Sequence, residues 1–301
     1  MLARQKARRF PSPAHGDPVP PHWGAVRNGA GWPSGPPAES LRVLQITDTH
    51  LYRDADRTLL GINTQRSLEQ VLKQAWYEHG PADLVLATGD LAHDHSREGY
   101  ARLRALLHSL DAPGYWLPGN HDDPQVMREV LAGAGACDPR SVRVGHWQIV
   151  LLDSRIADGG DAGRVAHAGL RSLDEDLGRY PDHHALVCLH HQPVPIGSRW
   201  IDAIGLQNAA ELFAVLDRHP QVRAVLCGHI HQEFEMRRAG VRILGSPSTC
   251  FQFRRRSDEF ALDSAAPGYR WLALHVDGGM DTGVGYLEDF AAAVDMASTG
   301  Y

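Results

Sequence analysis

Five short apolar segments, each followed at once by residues that bind metal ions or form tight turns, constrain the fold of this chain more than any other feature. Short apolar segments bounded by turn residues are typical of buried strands. Because open α/β sheets bind ligands beyond the carboxyl ends of their strands, five strand ends with similar chemistry predict one shared site. The segments and the residues behind them are 41–46 before Asp48 and His50, 84–87 before Asp90, 115–117 before Asn120 and His121, 185–189 before His190, and 224–227 before His229 and His231.

Helical patterns lie between these predicted strands. In residues 64–79 the apolar side chains from Leu68 to Trp76 recur at the spacing of one helical face. This alternation of strands and helices, followed by a last third that is richer in strand patterns, predicts an α/β fold. The other predicted helices are 96–110, 124–131, 170–177 and 209–217, and the other predicted strands are 149–152, 241–244 and 271–275.

Residues 1–40 differ in composition from the rest of the chain. They contain eight prolines and five glycines among few aliphatic residues, so they cannot bury enough apolar surface to offset the entropy of ordering. They also carry a net charge of +3, which leaves −9 on the remaining residues of a chain whose total is −6. We expect a disordered extension over residues 1–40 and one folded domain over residues 41–301.

The composition also narrows the possible partners and compartment. An acidic domain disfavours a nucleic-acid-binding surface, and no apolar segment approaches the length of a membrane span. The residues near the amino terminus lack the apolar stretch of a secretory signal, which favours a cytoplasmic protein. The four cysteines show neither C-x-x-C pairs nor the spacing of a disulfide framework, as expected for reduced thiols. They are Cys137, Cys188, Cys227 and Cys250.

The spacing within the five motifs has a geometric interpretation. One residue separates Asp48 from His50, and one separates His229 from His231, so both side chains of each pair would project to the same side of an extended backbone. Glycines before or within three of the motifs permit the close approach that a crowded site needs. Each motif taken alone also has an ordinary interpretation as a turn or a surface feature. Their occurrence in one chain, each after an apolar segment, favours the functional interpretation.

The motifs Asp48-x-His50, Gly89-Asp90, Gly-Asn-His-Asp ending at Asp122, His190 and Gly-His-x-His ending at His231 resemble the signature of the calcineurin-like metallophosphoesterases. Longer stretches, among them "VLQITDTHLYRDADRTLLGINTQRSL", "WLPGNHD", "LHHQPVP", "CGHIHQE", "GSPSTCFQF" and the final "ASTGY", are similar to bacterial class III 3′,5′-cyclic-AMP phosphodiesterases. The resemblance runs from about residue 41 to residue 301. It implies an αββα sandwich with two central mixed sheets and the site at the carboxyl ends of the strands.

The resemblance also implies two divalent metal ions, with Fe²⁺ or Mn²⁺ favoured. One ion would be held by Asp48, His50, Asp90 and His231, and the second by Asp90, Asn120, His190 and His229. Two divalent ions, two carboxylates and a bridging hydroxide give the site a net charge of about +1, which attracts a phosphodiester monoanion. The implied reaction is hydrolysis of cyclic AMP to 5′-AMP by the hydroxide, which would lower cyclic-AMP signalling in the cell.

His121 follows the ligand Asn120 directly, so its imidazole is expected near the phosphate, where it would stabilise the transition state and protonate the leaving oxygen. We expect the phosphate pocket to be lined by His50, Asp90, Asn120, His121 and His231. Asp122 either orients His121 or caps the helix that starts near residue 124.

Four further features have two interpretations each. His191 lies either behind the ligands or at the surface, and the first is favoured. His93 and His95 are interpreted as solvated loop residues. The basic run at residues 254–256 either contacts a nucleotide or a partner subunit, or is simply exposed to solvent. "TLLGIN" lines a nucleoside pocket or simply packs.

Two other functions remain open at this point. The same metal site could act on 2′,3′-cyclic nucleotides, glycerophosphodiesters or nucleotide pyrophosphates, since one fold hosts many chemistries. A non-catalytic scaffold of the same fold is disfavoured because all seven ligand positions are filled. The expected partner is a cyclic nucleotide, with no nucleic acid and no membrane, and the protein is a monomer or a homodimer.

Overall fold

Two six-stranded sheets lie at the centre of the computed structural model, which describes residues 40–131, 136–137, 140–157, 159–288, 290 and 294–300. In the first sheet four parallel strands are extended at one side by two antiparallel strands from the end of the chain. Its strands, in spatial order, are β16 (Met280–Tyr286), β15 (Gly268–His275), β1 (Ser40–Ile46), β4 (Leu84–Thr88), β5 (Gly114–Leu117) and β6 (Ala136–Cys137). Apart from Ser40, the extension predicted over residues 1–40 lies outside the described residues.

The second sheet is also mixed. Four parallel strands form its centre, and an antiparallel strand is added at each side. Its strands, in spatial order, are β11 (Phe234–Arg238), β12 (Val241–Gly245), β10 (Val222–Cys227), β9 (His184–Leu189), β8 (Trp147–Leu152) and β7 (Ser141–Val144). Two short antiparallel pairs stand apart from the sheets, namely β2 (Thr58–Leu59) with β3 (Ile62–Asn63) and β13 (Gln252–Phe253) with β14 (Leu262–Asp263).

Helices cover the outer face of each sheet. An apolar cluster joins the first sheet to three helices, a second cluster joins the other sheet to two helices, and a third fills the space between the sheets. The three helices are α1 (Thr64–His79), α2 (Arg97–His108) and α3 (Pro124–Leu131), the two are α4 (His167–Arg179) and α6 (Ala209–Leu216), and the short α5 (Arg199–Asp202) lies apart from both groups. The four layers confirm the αββα sandwich with two mixed sheets.

Burial on both faces explains why the strands read as continuous apolar runs. In β4, Leu84 and Leu86 point toward the other sheet, whereas Val85 and Ala87 point toward the helices. Successive side chains of a strand alternate between its faces, so a sheet covered on both sides needs apolar residues at every position. Beyond their carboxyl ends, β1, β4, β9 and β10 are followed by Asp48, Asp90, His190 and His229, where the chain leaves the core.

The predicted helices agree with the structure to within a few residues. Helix α1 has the predicted bounds and begins after Asn63, whose side chain accepts a hydrogen bond from the amide of Arg66 at 2.8 Å. In the "TLLGIN" segment, Leu59 and Ile62 are buried against an apolar cluster that includes Phe251. Among the described residues, no helix is both long enough and apolar enough to cross a bilayer.

Candidate dimetal centre

Side chains from the strand ends of both sheets meet in one buried cluster. Asp48 follows β1 in the first sheet, yet its Oδ1 lies 3.2 Å from Nε2 of His231 and 3.9 Å from Nε2 of His190, which both follow strands of the second sheet. Asp90, which follows β4, has its Oδ2 3.3 Å from Nε2 of His190 and 3.9 Å from Nε2 of His50. The two sheets therefore contribute jointly to the centre.

The backbone conformation at these residues differs from the one expected. Asp48, His50, Asp90, His229 and His231 all have positive φ, between 43° and 67°, so the backbone is left-handed and not extended. Left-handed conformations cost non-glycine residues roughly 1–3 kcal/mol each and cluster at functional sites. Five of them in one cluster indicate that the position of these side chains is maintained at the expense of local stability.

Three nitrogen and oxygen atoms converge on one point of the cluster. Nε2 of His50 lies 3.4 Å from Nε2 of His231, which in turn is 3.2 Å from Oδ1 of Asp48. The Nδ1 of His231 donates to the carbonyl of Phe251 at 2.8 Å, so Nε2 of a neutral ring presents its lone pair to the cluster. Ligand atoms bound to one ion at about 2.0–2.1 Å lie roughly 2.9–3.4 Å apart at angles of about 90–110°. These atoms therefore fit a divalent metal ion.

A second set of atoms lies beside the first. His190 donates from Nδ1 to the carbonyl of Thr88 at 2.9 Å, which directs its Nε2 toward Asp90. Nε2 of His190, Nε2 of His229 and Oδ1 of Asn120 are buried and have no hydrogen-bond partner among the described residues. Buried polar atoms are almost always satisfied, so these orphaned atoms, of which Nε2 of His190 lies 3.3 Å from Asp90, call for a cation. This set also fits a divalent metal ion.

Apart from that of His190, the protonation states of the metal-free cluster suit metal binding. Although burial opposes ionisation, His231 beside Asp48 and His190 beside Asp90 lower the pKa of both carboxyl groups. Burial lowers the pKa of His50 well below its usual value and that of His229 to about 3. Burial has the same tendency at His190, but the carboxylates of Asp90 and Asp48 outweigh it and raise the pKa to about 9. Ionised carboxylates and neutral imidazoles are the forms that coordinate metal, so His190, which the two carboxylates keep protonated near neutral pH, must release a proton when an ion binds.

Two glycines are required by close packing around the carboxylates. A Cβ on Gly228 would clash with Oγ1 of Thr47 and lie 2.8 Å from Oδ2 of Asp48. A Cβ on Gly119 would lie 2.8 Å from Cγ of Asp90 and clash with its Oδ1 and amide nitrogen. The sequence-based expectation that these positions need glycine for close approach is confirmed.

His121 lies at the partly exposed side of the cluster. Its amide donates to Oδ1 of Asp90 at 2.9 Å, which ties the loop after β5 to the carboxylate of Asp90. Its ring stacks on that of His93, with centroids 4.7 Å apart and planes 19° apart, and meets the ring of His50 edge-on at 5.2 Å. The imidazole is therefore next to His50 and His93 at the partly exposed side of the cluster.

The helix-capping role expected for Asp122 is wrong. Its buried carboxylate accepts hydrogen bonds from the amides of Leu91, Ala92 and Gly119 and from the hydroxyl of Tyr100, at 2.9–3.1 Å. It thereby braces the loop after β4 against the loop after β5, and burial raises its pKa to about 6. The cap of α3 is the next residue, Asp123, whose Oδ1 accepts from the amide of Gln125 at 2.8 Å.

The interpretation of His93 as a solvated residue is also wrong. Its Nδ1 lies 3.2 Å from Nδ1 of His50, and burial together with the nearby His121 lowers its pKa to about 4. His95, two residues later, is exposed as expected. The only sequence signal for His93 is its position three residues after Asp90.

His191 lies behind the proposed ligands, as favoured from the sequence. Its Nε2 donates to the carbonyl of Asp161 at 3.2 Å, and its Nδ1 accepts from Oγ of Ser154 at 2.8 Å. The ring so fixed lies 4.7 Å from that of His229. Both ring nitrogens of His191 are thus used in hydrogen bonds, so this residue supports its neighbour and is not itself placed to bind an ion.

Comparison with known proteins gives matches over most of the chain. Residues 41–233 match the family described as calcineurin-like phosphoesterase. The chain is 43% identical over 262 residues to the 3′,5′-cyclic adenosine monophosphate phosphodiesterase CpdA of Pseudomonas aeruginosa, covering 87% of this chain and 96% of that protein. It is also 43% identical over 238 residues to the 3′,5′-cyclic-nucleotide phosphodiesterase alr5338 of Nostoc, covering 79% and 89%. A dimetal phosphatase from Danio rerio shares the fold, with a TM-score of 0.53 and 14% identity over 79% of this chain and 96% of that one.

Proposed function

The chain belongs to the calcineurin-like phosphoesterase family, and on this basis we propose that it hydrolyses 3′,5′-cyclic AMP to 5′-AMP at a two-metal centre. The observation that carries the proposal is the 43% identity to the cyclic-AMP phosphodiesterase CpdA over 96% of that protein's length. The match includes the whole of the cluster described above, because it covers 87% of this chain.

We propose that Asp48, His50, Asp90 and His231 hold one ion and that Asp90, Asn120, His190 and His229 hold the other. The distances of 3.2–3.4 Å between ligand atoms of the first set support the first assignment. The orphaned atoms of Asn120, His190 and His229 support the second. A mixed set of nitrogen and oxygen ligands suits Fe²⁺ or Mn²⁺, and the metal content of protein purified without added metal tests that choice.

The two ions, when bound, would supply Lewis acidity toward a phosphate oxygen and activation of a water molecule. The chain supplies the rest. With two divalent ions and a hydroxide bound, the carboxylates of Asp48 and Asp90 would leave the centre with a net charge of about +1, which attracts a phosphodiester monoanion despite the acidic domain. We propose that His50, Asp90, Asn120, His121 and His231 line the phosphate pocket.

We propose that His121 donates a proton to the departing ribose 3′-oxygen. Its backbone amide is anchored to Asp90, and its ring is held against His50 and His93 at the partly exposed side of the cluster. A ribose alkoxide is a poor leaving group, so general-acid catalysis should contribute roughly 10²–10⁴-fold to the rate.

Substrates with different leaving groups test this role. His121→Ala should reduce cyclic-AMP hydrolysis by about 10²–10⁴-fold and affect bis(p-nitrophenyl) phosphate much less, because nitrophenolate leaves without a proton. Metal content per chain is measured alongside to show that both ions remain bound. Equal losses on the two substrates at full metal content would assign the proton transfer to another group.

A panel of phosphodiesters tests the proposed substrate. Metal-loaded protein is incubated with 3′,5′-cyclic AMP, 3′,5′-cyclic GMP, 2′,3′-cyclic AMP and a glycerophosphodiester, and the products are separated by chromatography. We expect 5′-AMP from 3′,5′-cyclic AMP at the highest kcat/KM. A broader action on 3′,5′-cyclic nucleotides is the second candidate, because the Nostoc relative is named for that wider class. Faster turnover of 2′,3′-cyclic AMP or the glycerophosphodiester contradicts both.

We further propose that residues 41–301 form the catalytic domain, that it works in the cytoplasm, and that it is a monomer or a homodimer. The family match that begins at residue 41 supports the domain limit. Light scattering of the purified protein and fractionation of cells that express it test the other two statements.

A further inference from the structure

His93 lies against two residues of the proposed centre. Its Nδ1 is 3.2 Å from Nδ1 of His50, and its ring stacks on that of His121 at 4.7 Å. The ring of Tyr52 also packs against it, with centroids 5.1 Å apart. One side chain thus contacts both a proposed metal ligand and the proposed general acid.

The backbone fixes His93 relative to His50. The segments that carry them run side by side, with the amide of His50 donating to the carbonyl of Asp90 at 2.9 Å and the amide of His93 donating to that of Leu51 at 2.8 Å. A parallel bridge between Leu51 and Ala92 lies between the two histidines. The contact between the imidazoles therefore follows from the pairing of the two loops.

The hydrogen on His50 has a defined place when the ring binds a metal ion. Its Nε2 is the nitrogen directed at His231 and Asp90, so coordination through Nε2 leaves the hydrogen of the neutral ring on Nδ1. The Nδ1 of His93 then accepts that hydrogen. Residues that accept a hydrogen bond from a ligating histidine fix its tautomer and its orientation and increase its basicity as a ligand.

We propose that His93 is a positioning residue of the metal centre: it accepts the hydrogen bond from Nδ1 of His50 and so presents Nε2 to the ion, while its ring holds that of His121 by stacking. This rests on the proposed function, because it takes His50 to be a metal ligand. The two contacts are separable, since one depends on an acceptor atom and the other on an aromatic ring.

Two substitutions separate the contacts. His93→Asn keeps an acceptor, the side-chain oxygen, at the δ position and removes the ring, whereas His93→Phe keeps a ring and removes the acceptor. His95→Asn is the matched control, because His95 is exposed on the same loop and asparagine tolerates its φ of 56°. Thermal unfolding of each variant shows that it is folded.

The first readout is Mn²⁺ affinity, measured by competition with a chelator, and it needs no substrate. His93→Phe should weaken binding by about 10–100-fold, while His93→Asn and His95→Asn should stay close to wild type. In the Zn²⁺-loaded protein, long-range ¹H–¹⁵N spectra should show the hydrogen of His50 on Nδ1 in the wild type. Unchanged affinity in a folded His93→Phe protein, or equal losses in the Asn and Phe variants, would overturn the hydrogen-bonding role.

The second readout is turnover, and it concerns the stacking on His121. His93→Asn should lower kcat for cyclic AMP and leave bis(p-nitrophenyl) phosphate unaffected, whereas His93→Phe at saturating metal should retain kcat on both. An equal effect of His93→Asn on the two substrates would overturn the stacking role. If the wild type binds Mn²⁺ but does not hydrolyse cyclic AMP, the proposed function fails, and the affinity contrast still decides the role of His93 at His50.

Discussion

Gly119→Ala tests whether the close packing around Asp90 is needed for metal binding. Gly119 lies two residues after the end of β5, and its φ is not in the left-handed region, so alanine is compatible with the backbone. The added Cβ would lie 2.8 Å from Cγ of Asp90 and closer still to its Oδ1 and amide nitrogen. Carbon atoms pack at about 3.5–4.0 Å, so the two loops must separate by roughly 0.7 Å or more.

The expected cost has two parts. Forcing an extra methyl group into a packed site costs about 1–3 kcal/mol, and each kcal/mol lowers the Tm of a domain of this size by about 2–4 °C. Displacing a reacting group by about 1 Å costs on the order of 10²-fold in rate, and the carboxylate of Asp90 is proposed to bind both ions. We therefore expect a lower Tm, weaker Mn²⁺ binding and a large loss of cyclic-AMP hydrolysis.

Gly114→Ala is the control, because Gly114 begins the same strand and a Cβ there would meet only Leu107 at 3.6 Å, an ordinary contact. Differential scanning calorimetry, chelator competition and steady-state kinetics are applied to both variants. We expect Gly114→Ala to match the wild type in metal affinity. A Gly119→Ala protein with wild-type metal affinity and activity would refute the argument that this glycine makes room for the carboxylate.

Three further predictions concern other parts of the chain. In metal-free protein, the pKa of Asp122 is raised from 3.8 to about 6, so its contribution to stability is present below pH 4 and lost as pH rises through 6. Asp122→Asn should therefore gain about 3 kcal/mol relative to wild type between pH 4 and pH 7 in urea titrations, and parallel pH profiles would contradict the shift. Asp90→Ala should lose more bound metal per chain than His231→Ala, as read by mass spectrometry; retention of two ions would show that Asp90 does not bridge. Deletion of residues 1–40 should leave Tm and kcat nearly unchanged, and a large loss of either would place the extension within the folded unit.

Much of the fold could be predicted because strands that are buried on both faces must be apolar, and this apolar pattern is visible in the sequence. Strand β4 is apolar from Leu84 to Ala87, since Leu86 faces the other sheet and Val85 faces the helices, and the chain becomes polar from Thr88, where it leaves that core. The residues of the cluster could be predicted for the same reason, since each follows such a strand.

The remaining features depend on contacts between segments that lie far apart in the sequence. Asp122 and Asp123 are both carboxylates just before the start of a helix. Asp122 faces inward because its donors include the amides of Leu91 and Ala92, which the loop after β4 brings close to it. The orientation of His93 likewise depends on the pairing of its loop with Leu51. Left-handed conformations are enriched at Asp and His, but this preference is too weak to outweigh the extended pattern of the preceding strand, so the sequence alone does not predict the positive φ of Asp48.

The central claim is that the five strand ends form a two-ion centre that hydrolyses cyclic AMP. The most direct measurement is a titration of metal-free protein with Mn²⁺, in which bound metal per chain and the formation of 5′-AMP from 3′,5′-cyclic AMP are followed together. The account predicts that 5′-AMP formation rises with binding of the second equivalent and reaches its maximum at two ions per chain. Full activity at one ion per chain, or 3′-AMP as the product, would contradict it.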